Sequence, residues 1–272
     1  MIQLKINDVL ELSIAKMLRN GVPQHEAEIA APIYLEGELW GKRTHGFRYL
    51  EGCLLQYQEG ATRRQELTSK QETAVSAVVP PGGVTPLLST NPLTIGIPRT
   101  GQPPLILDMA TSAGTYSQIM VAQRDKQPLP AGIAVDLDGK PTTDPFKTVD
   151  EAHHPHLLPF GGYKGFGLAL MIELLCDASL GTAIGKSKLA SYFDPAYCNG
   201  LYLVFKPDLF VERDVFDAHV AQLGDDIESS KKTANASEIR LPGEESQHRK
   251  AAILETGIVD IEDPTYEFLQ AP

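Results

Sequence analysis

The chain has 272 residues, enough to bury a sizeable core as one large or two intertwined domains at about 150 residues per domain. Its 42% hydrophobic and 22% charged content is ordinary for a soluble globular protein, and a formal net charge of −11 is the wrong sign for a nucleic-acid surface. No apolar run approaches the roughly 20 residues that span a bilayer, and the first residues lack the basic and apolar regions of a signal peptide, so a cytoplasmic protein without membrane partners is expected.

The N-terminal region reads as helices. Asn7 or Asp8 is placed to cap a segment from Val9 to Arg19, which Gly21 and Pro23 end. A second segment, Gln24 to Leu39, sets Ala27, Ala30, Ala31 and Tyr34 on one face, and a third runs from Phe47 to Tyr57 before Gly60. Gly60 to Glu72 is polar and reads as a solvated linker or helix.

Beyond it the period shortens. Ala74 to Val79, Leu93 to Ile97 and Leu105 to Leu107 are β-rich runs parted by Pro, Gly and Asn, and they are expected to form a sheet. Ser112 to Arg124 reads as a helix, and the turn-rich stretch from 131 to 160 as a functional loop. After the apolar run Leu168 to Leu180, Leu201 to Phe205 alternates as a strand, Val211 to Leu223 is amphipathic, and a last helix is expected from Ser246 to Thr256. Cys53, Cys176 and Cys198 are odd in number and widely spaced, so neither a disulfide framework nor a zinc site is indicated and each reads as a small buried residue.

Pro159-Phe160-Gly161-Gly162-Tyr163-Lys164-Gly165-Phe166-Gly167 precedes a helix expected to open at Gly165 or Phe166 and stop at Gly181. Glu173 and Asp177 alone interrupt its apolar residues, on one face, so nearly all the remaining circumference is expected to be buried. A helix N-terminus with a lysine beside it is an anion site, although a tight connection explains the glycines equally well. The spacing matches neither the P-loop nor the G-x-G-x-x-G dinucleotide turn.

His45, between Arg43 and Arg48, suits acid-base work on an anion, because imidazole exchanges protons near neutral pH while guanidinium holds a carboxylate. A capping or surface histidine is the alternative. His153, His154 and His156 flank a proline that rules out a regular helical metal site, and an exposed polar loop is expected. Asp108, Thr111 and Ser112 stand where a strand end enters a helix, a place for either a ligand or a cap.

Thr44-His45-Gly46, Thr90-Asn91-Pro92-Leu93, Leu107-Asp108-Met109-Ala110-Thr111-Ser112, Leu129-Pro130-Ala131-Gly132 with Asp136 to Pro145, Gly161 to Leu168, and Leu241-Pro242-Gly243-Glu244 occur in one order along the chain. Together they resemble the malate/L-lactate dehydrogenase family of the non-Rossmann type, over nearly the whole chain.

The resemblance implies an α/β fold of mixed type: a helical N-terminal layer (1–72, with the linker), a mixed-sheet domain for cofactor and substrate (73–240), and a C-terminal helix and tail (241–272) packing back on the N-terminal region. It implies a homodimer with active sites near the subunit interface, transferring a hydride between NAD or NADP and C2 of a small 2-hydroxy or 2-oxo acid. By position, His45 is the acid-base residue and Thr44 and Arg48 bind substrate. Asp108, Met109, Ala110, Thr111, Ser112, Tyr163, Lys164, Pro242, Gly243 and Glu244 line the cofactor site, and no metal is implied.

Two departures stand out. Members of the family continue after the third helix with a long segment carrying a second histidine, assigned a catalytic role in some of them; here Gly60 leads through a short polar stretch to Ser76. Many members also place an arginine four residues after the first histidine, where this chain has Tyr49 preceded by Arg48. The alternative reading is therefore a non-catalytic, internally shortened member that keeps the dimeric scaffold.

Overall fold

The structure, a computed structural model, describes residues 1–58, 76–190 and 199–272. The expected linker from Gly60 to Glu72, the first residues of the Ala74 run and Cys198 lie outside the described residues. The chain divides into two compact units: one of Met1–Lys70, Ile97–Ile106 and Glu212–Pro272, the other of Gln71–Gly96 and Leu107–Val211.

In the first unit β1 (Ile2–Lys5) pairs antiparallel with β4 (Ile258–Ile261), setting Ile2 opposite Ile261 and Leu4 opposite Val259. This pairing carries extended backbone up to Lys5, so α1 (Ile6–Arg19) starts at once and the expected caps Asn7 and Asp8 fall inside its first turn instead. α2 (Gln24–Leu39) has its expected bounds and buries the expected Ala27, Ala30, Ala31 and Tyr34. α3 (Phe47–Gln58) follows, and Phe47, Leu50 and Leu54 complete one core with Val9, Met17, Val259, Ile261 and Leu269.

The C-terminal elements of this unit are α6 (Arg213–Glu228), α7 (Glu244–Thr256) and α8 (Asp263–Gln270). Lys250 of α7 reaches Glu36 of α2 at 2.7 Å and lies 4.7 Å from the centre of the Trp40 ring. Arg19 of α1 donates through Nη2 to the Leu269 carbonyl at 2.7 Å. The end of α8, which leaves carbonyls without helical partners, is thus met by a cation from α1.

β2 (Leu93–Arg99) and β3 (Gln102–Met109) form a two-stranded sheet. In the second unit Val78 adds single bridges to Leu88 and Leu157 rather than a full strand. α4 (Tyr116–Asp125) begins later than the expected Ser112, because Thr115 caps it: its hydroxyl accepts from the Gln118 N–H at 3.1 Å while Gln118 Oε1 accepts from the Thr115 N–H at 3.2 Å. α5 (Tyr163–Cys176) begins two residues before the expected Gly165, and a 3-10 turn, Ala178–Leu180, carries the chain on to Gly181 at φ 70°.

Four expectations fail here. α5 is not buried all round: Gly165, Ala169 and Glu173 are buried, but Met171 and Leu175 are 52% and 57% exposed. Leu201 to Phe205 is no strand; among the described residues it has no ladder partner, and Tyr202 and Val204 are 90% and 94% exposed. The histidine loop is not wholly exposed, since His154 and His156 are buried. Asp150 folds it inward, accepting from the His154 N–H at 2.7 Å and facing the His154 ring at 3.1 Å, while the His156 N–H donates to the Thr148 carbonyl. Cys53 and Cys176 are half-buried rather than fully buried.

Ile261 has no exposed surface, so Ile261→Ala should lower the unfolding free energy by about 2–5 kcal/mol in urea denaturation. The neighbouring Asp260→Ala, on the exposed face of β4, should stay within about 0.5 kcal/mol. Equal losses at both positions would contradict the inward register of β4.

Candidate functional site

In the first unit, the backbone of α2 touches the turn that carries His45. A Cβ at Gly37 would stand 2.5 Å from both the His45 carbonyl carbon and the Gly46 nitrogen, so no larger residue fits there. Arg43–His45 form a 3-10 turn, and Gly46 lies against the Glu38 carboxylate. That carboxylate is buried and accepts from the Phe47 N–H at 3.0 Å. Burial pushes the Glu38 pKa up to about 7, against the pull of the Phe47 N–H and of Arg43 and Arg48. Arg48 is ion-paired with Glu262, and Arg43 stands 3.6 Å from the same carboxylate.

The Pro242–Gly243–Glu244 turn docks on β3. The Pro242 carbonyl accepts from the Ile106 N–H at 3.0 Å. Gly243, at φ 93°, packs so closely on Ile106 that a Cβ would lie 3.1 Å from its carbonyl. Glu244 caps the turn through the Leu241 N–H at 2.8 Å and meets Arg99 at 3.3 Å.

In the second unit, Asp108–Ser112 and the glycine-lysine turn come together. The Phe160 N–H donates to the Thr111 carbonyl at 3.1 Å, the Ala113 N–H to the Leu158 carbonyl at 2.7 Å, and Ser112 bridges to Pro159. The two hydroxyls are already engaged, Thr111 with the Thr90 carbonyl at 2.8 Å and Ser112 with the Gly114 carbonyl at 2.6 Å, and both residues are buried. Asp108 is exposed and accepts from the Thr94 hydroxyl at 3.0 Å, and Met109 and Ala110 are half-buried.

The turn itself is open. Gly161 and Gly162 have φ of 55° and 66°, the left-handed region where glycine is favoured, and a Cβ on either would meet nothing within 4 Å. Gly165 is different: its α-carbon packs on the Phe160 carbonyl, which accepts from the Gly165 N–H at 3.0 Å. No side chain caps α5, Tyr163 is 74% exposed, and exposed Lys164 makes no ion pair among the described residues. An uncapped N-terminus of a 14-residue helix beside a lysine, with clear space before two glycines, fits an anion such as a dinucleotide pyrophosphate.

His154, His156 and Asp150 line a cleft of about 370 Å³ with Thr85 and Leu137. Among the described residues no group of three or more His, Cys, Asp or Glu is placed to hold a metal ion. Burial pushes the His156 pKa down.

Comparison with known proteins fits this arrangement. The sequence pattern of the malate/L-lactate dehydrogenase family matches residues 71–270. The chain belongs to the malate/L-lactate dehydrogenase family. It is 38% identical over 176 residues to an L-sulfolactate dehydrogenase of Methanocaldococcus jannaschii, covering 64% of this chain and 49% of that one. It is 33% identical over 198 residues to ureidoglycolate dehydrogenase (NAD(+)) of Escherichia coli, covering 71% and 54%. With (2R)-3-sulfolactate dehydrogenase (NADP(+)) of Chromohalobacter salexigens it shares 40% over 122 residues, 45% and 35% of the two chains. The solved structure of the Methanocaldococcus jannaschii sulfolactate dehydrogenase superposes with a TM-score of 0.74 at 25% identity, covering 99% of this chain and 96% of that one. The chain spans about half the length of the curated relatives it matches. The mixed helix-and-strand fold is thus that of the family.

Glu38 escaped the sequence reading because nothing in a helical pattern marks which carboxylate is buried beside a turn three residues past the helix end. Its pKa has a consequence for stability. The folded state holds the proton up to about pH 7 whereas the unfolded chain releases it near the ordinary 4.5, so stability falls as pH rises through that window. The loss is on the order of 3 kcal/mol. Glu38→Gln keeps the acceptor for Phe47 and removes the titration. Its stability relative to wild type should therefore rise between pH 5 and pH 8 in thermal or urea unfolding, and a difference that stays flat would show that Glu38 does not hold this proton.

Proposed function

We propose that this chain is an NAD(P)-dependent oxidoreductase acting at C2 of a small 2-hydroxy or 2-oxo acid, such as a malate- or lactate-like anion. The observation that carries the proposal is the open, uncapped N-terminus of α5 with Lys164, held against Asp108–Ser112 in a chain of this family. The Lys164 side chain and the backbone N–H groups of Tyr163 and Lys164 hold the dinucleotide phosphates, with Asp108, Met109 and Ala110 beside them. Thr111 and Ser112 contribute backbone, since their hydroxyls are spent on neighbouring carbonyls. By the family resemblance alone, Pro242, Gly243 and Glu244 are also assigned to the cofactor. When bound, NAD(P) supplies or accepts the hydride.

His45 gives the proton to the substrate oxygen in reduction and takes it back in oxidation. The substrate carboxylate binds at Thr44 and Arg48, where it shares the guanidinium with Glu262. Support for a homodimer comes from the exposed apolar residues of α5, Met171, Leu174 and Leu175, which a second copy would cover.

Consumption of NADH and NADPH is to be followed by absorbance with a panel of 2-oxo acids. The expected result is turnover with at least one pair; His45→Ala should lower kcat about 10²- to 10⁴-fold, and Lys164→Ala should weaken dinucleotide binding about tenfold. Absence of both binding and turnover with either dinucleotide would overturn the proposal in favour of a non-catalytic scaffold. Sedimentation velocity at micromolar concentration should show a dimer, and a monomer would remove that part of the reading.

A further inference from the structure

α5 poses a packing problem. Its residues are apolar on every side, Leu168, Leu170, Met171, Ile172, Leu174 and Leu175 among them, yet the stripe turned inward is Gly165, Ala169, Glu173 and, just past the helix, Asp177. Fully burying a leucine or methionine is favourable by about 1.5–3 kcal/mol, so within a single subunit hydrophobic burial alone would turn the helix the other way. The rotation follows its two carboxylates instead.

Those carboxylates converge on one cation. The Lys188 side chain is wholly buried and lies 2.6 Å from Glu173 Oε1 and 2.5 Å from Asp177 Oδ2. The remaining oxygens are met by amides. Asn91 Nδ2 donates to Glu173 Oε2 and to the Ala169 carbonyl, both at 2.9 Å, and Asn199 Nδ2 donates to Asp177 Oδ1 and to the Thr182 hydroxyl, both at 2.8 Å.

Asn91 has a second connection. It holds a left-handed φ of 36°, and the carbonyl of the residue before it, Thr90, accepts both the N–H and the hydroxyl of Thr111 at 2.8 Å. The Thr90–Asn91 pair therefore ties α5 on one side to the Asp108–Ser112 segment on the other.

We infer that Asn91, with the buried Glu173–Lys188–Asp177 cluster, is a positioning device: it sets the rotation of α5 against the Thr111 segment and so aims the Tyr163–Lys164 turn at its anion. None of these residues touches the anion. Where it concerns the dinucleotide the inference rests on the function proposed above; where it concerns the rotation of α5 it stands on the contacts alone.

The test uses Asn91→Gly in the full chain. Glycine accepts the left-handed backbone without strain, which offsets part of the loss of the two amide hydrogen bonds, so the variant folds. Three quantities are read for wild type and variant: the Kd for NADH and NADPH by nucleotide fluorescence, amide hydrogen exchange in α5, and Tm. The expected result is about tenfold weaker dinucleotide binding, faster exchange across residues 163–170, and a Tm within about 4 °C of wild type. As a second variant, Lys188→Met together with Glu173→Leu and Asp177→Asn removes the ionic cluster with nearly conserved volume. Such exchanges of buried ions for apolar groups are commonly neutral or stabilising, yet here dinucleotide affinity should fall by a similar factor.

If wild type binds dinucleotide and both variants bind it equally well, the positioning inference is overturned while the proposed function stands. If wild type binds neither dinucleotide, the proposed function is overturned, and hydrogen exchange decides the rotation: unchanged exchange in α5 of Asn91→Gly overturns it as well. Binding that falls only in step with a collapse in Tm marks a merely structural role and also overturns it.

Discussion

Lys188 has no exposed side-chain surface and stands between two carboxylates, and much of the second unit follows from keeping it there. Removing three charges from water costs several kcal/mol per ion, recovered only when geometry is close and the remaining lone pairs are satisfied. Both conditions are met: the ionic contacts are short, and Asn91 and Asn199 donate to the outer oxygens. The contact of Glu173 Oε1 with the ammonium lies off the ideal hydrogen-bond direction, so it acts as a charge rather than a directed bond. Because a buried charge without its partner is so unfavourable, alternative rotations of α5 are excluded more sharply than apolar contacts could exclude them. Exposure of Met171 and Leu175 is the other side of that constraint.

Glycine serves two separate purposes around the candidate residues. At Gly37, Gly46 and Gly165 it permits contact: α2 meets the His45 turn, Gly46 meets Glu38, and the start of α5 meets Phe160, each too close for a Cβ. At Gly161 and Gly162 there is no crowding at all, and glycine is there for its left-handed φ. In the motif Gly161 to Gly167 the first two glycines thus serve backbone conformation and Gly165 packing, while a Cβ at Gly167 would meet nothing within 4 Å. A sequence shows the glycines alike; only the structure separates the two uses.

What the sequence made legible was local. α2 has the bounds read from it because Pro23 and the alanine face lie within the helix or one turn of it. The Gly243 turn was readable for the same reason, and so were the central residues of β2 and β3, but their pairing as a two-stranded sheet without the Ala74 run was not. What escaped depended on distant partners. β1 and β4 are four-residue strands that exist because Ile2 meets Ile261 across nearly the whole chain, and no local pattern announces that pairing. Leu201 to Phe205 has the alternation of a strand without a ladder to join among the described residues, and alternation alone forms no hydrogen bonds. Glu173 and Asp177 were visible as the only charges in an apolar run, but their cation lay beyond the helix in a polar stretch where one lysine looks like another.

The electrostatics of the His45 turn run against those of the whole chain. A formal net charge of −11 disfavours the approach of an anion, so any anionic substrate depends on a local reversal of sign. Arg43 and Arg48 provide it, and Glu262, which pairs with both, cancels one of the two charges. Whether the other survives depends on Glu38. With its proton on, these four groups keep one net positive charge; with the proton off, they sum to none. Since burial holds the Glu38 pKa near 7, this change falls within the physiological range rather than near 4.5. For the reaction proposed here, the same buried carboxyl that braces the Phe47 N–H also sets how strongly the turn attracts a carboxylate, and that attraction weakens as pH rises past neutrality.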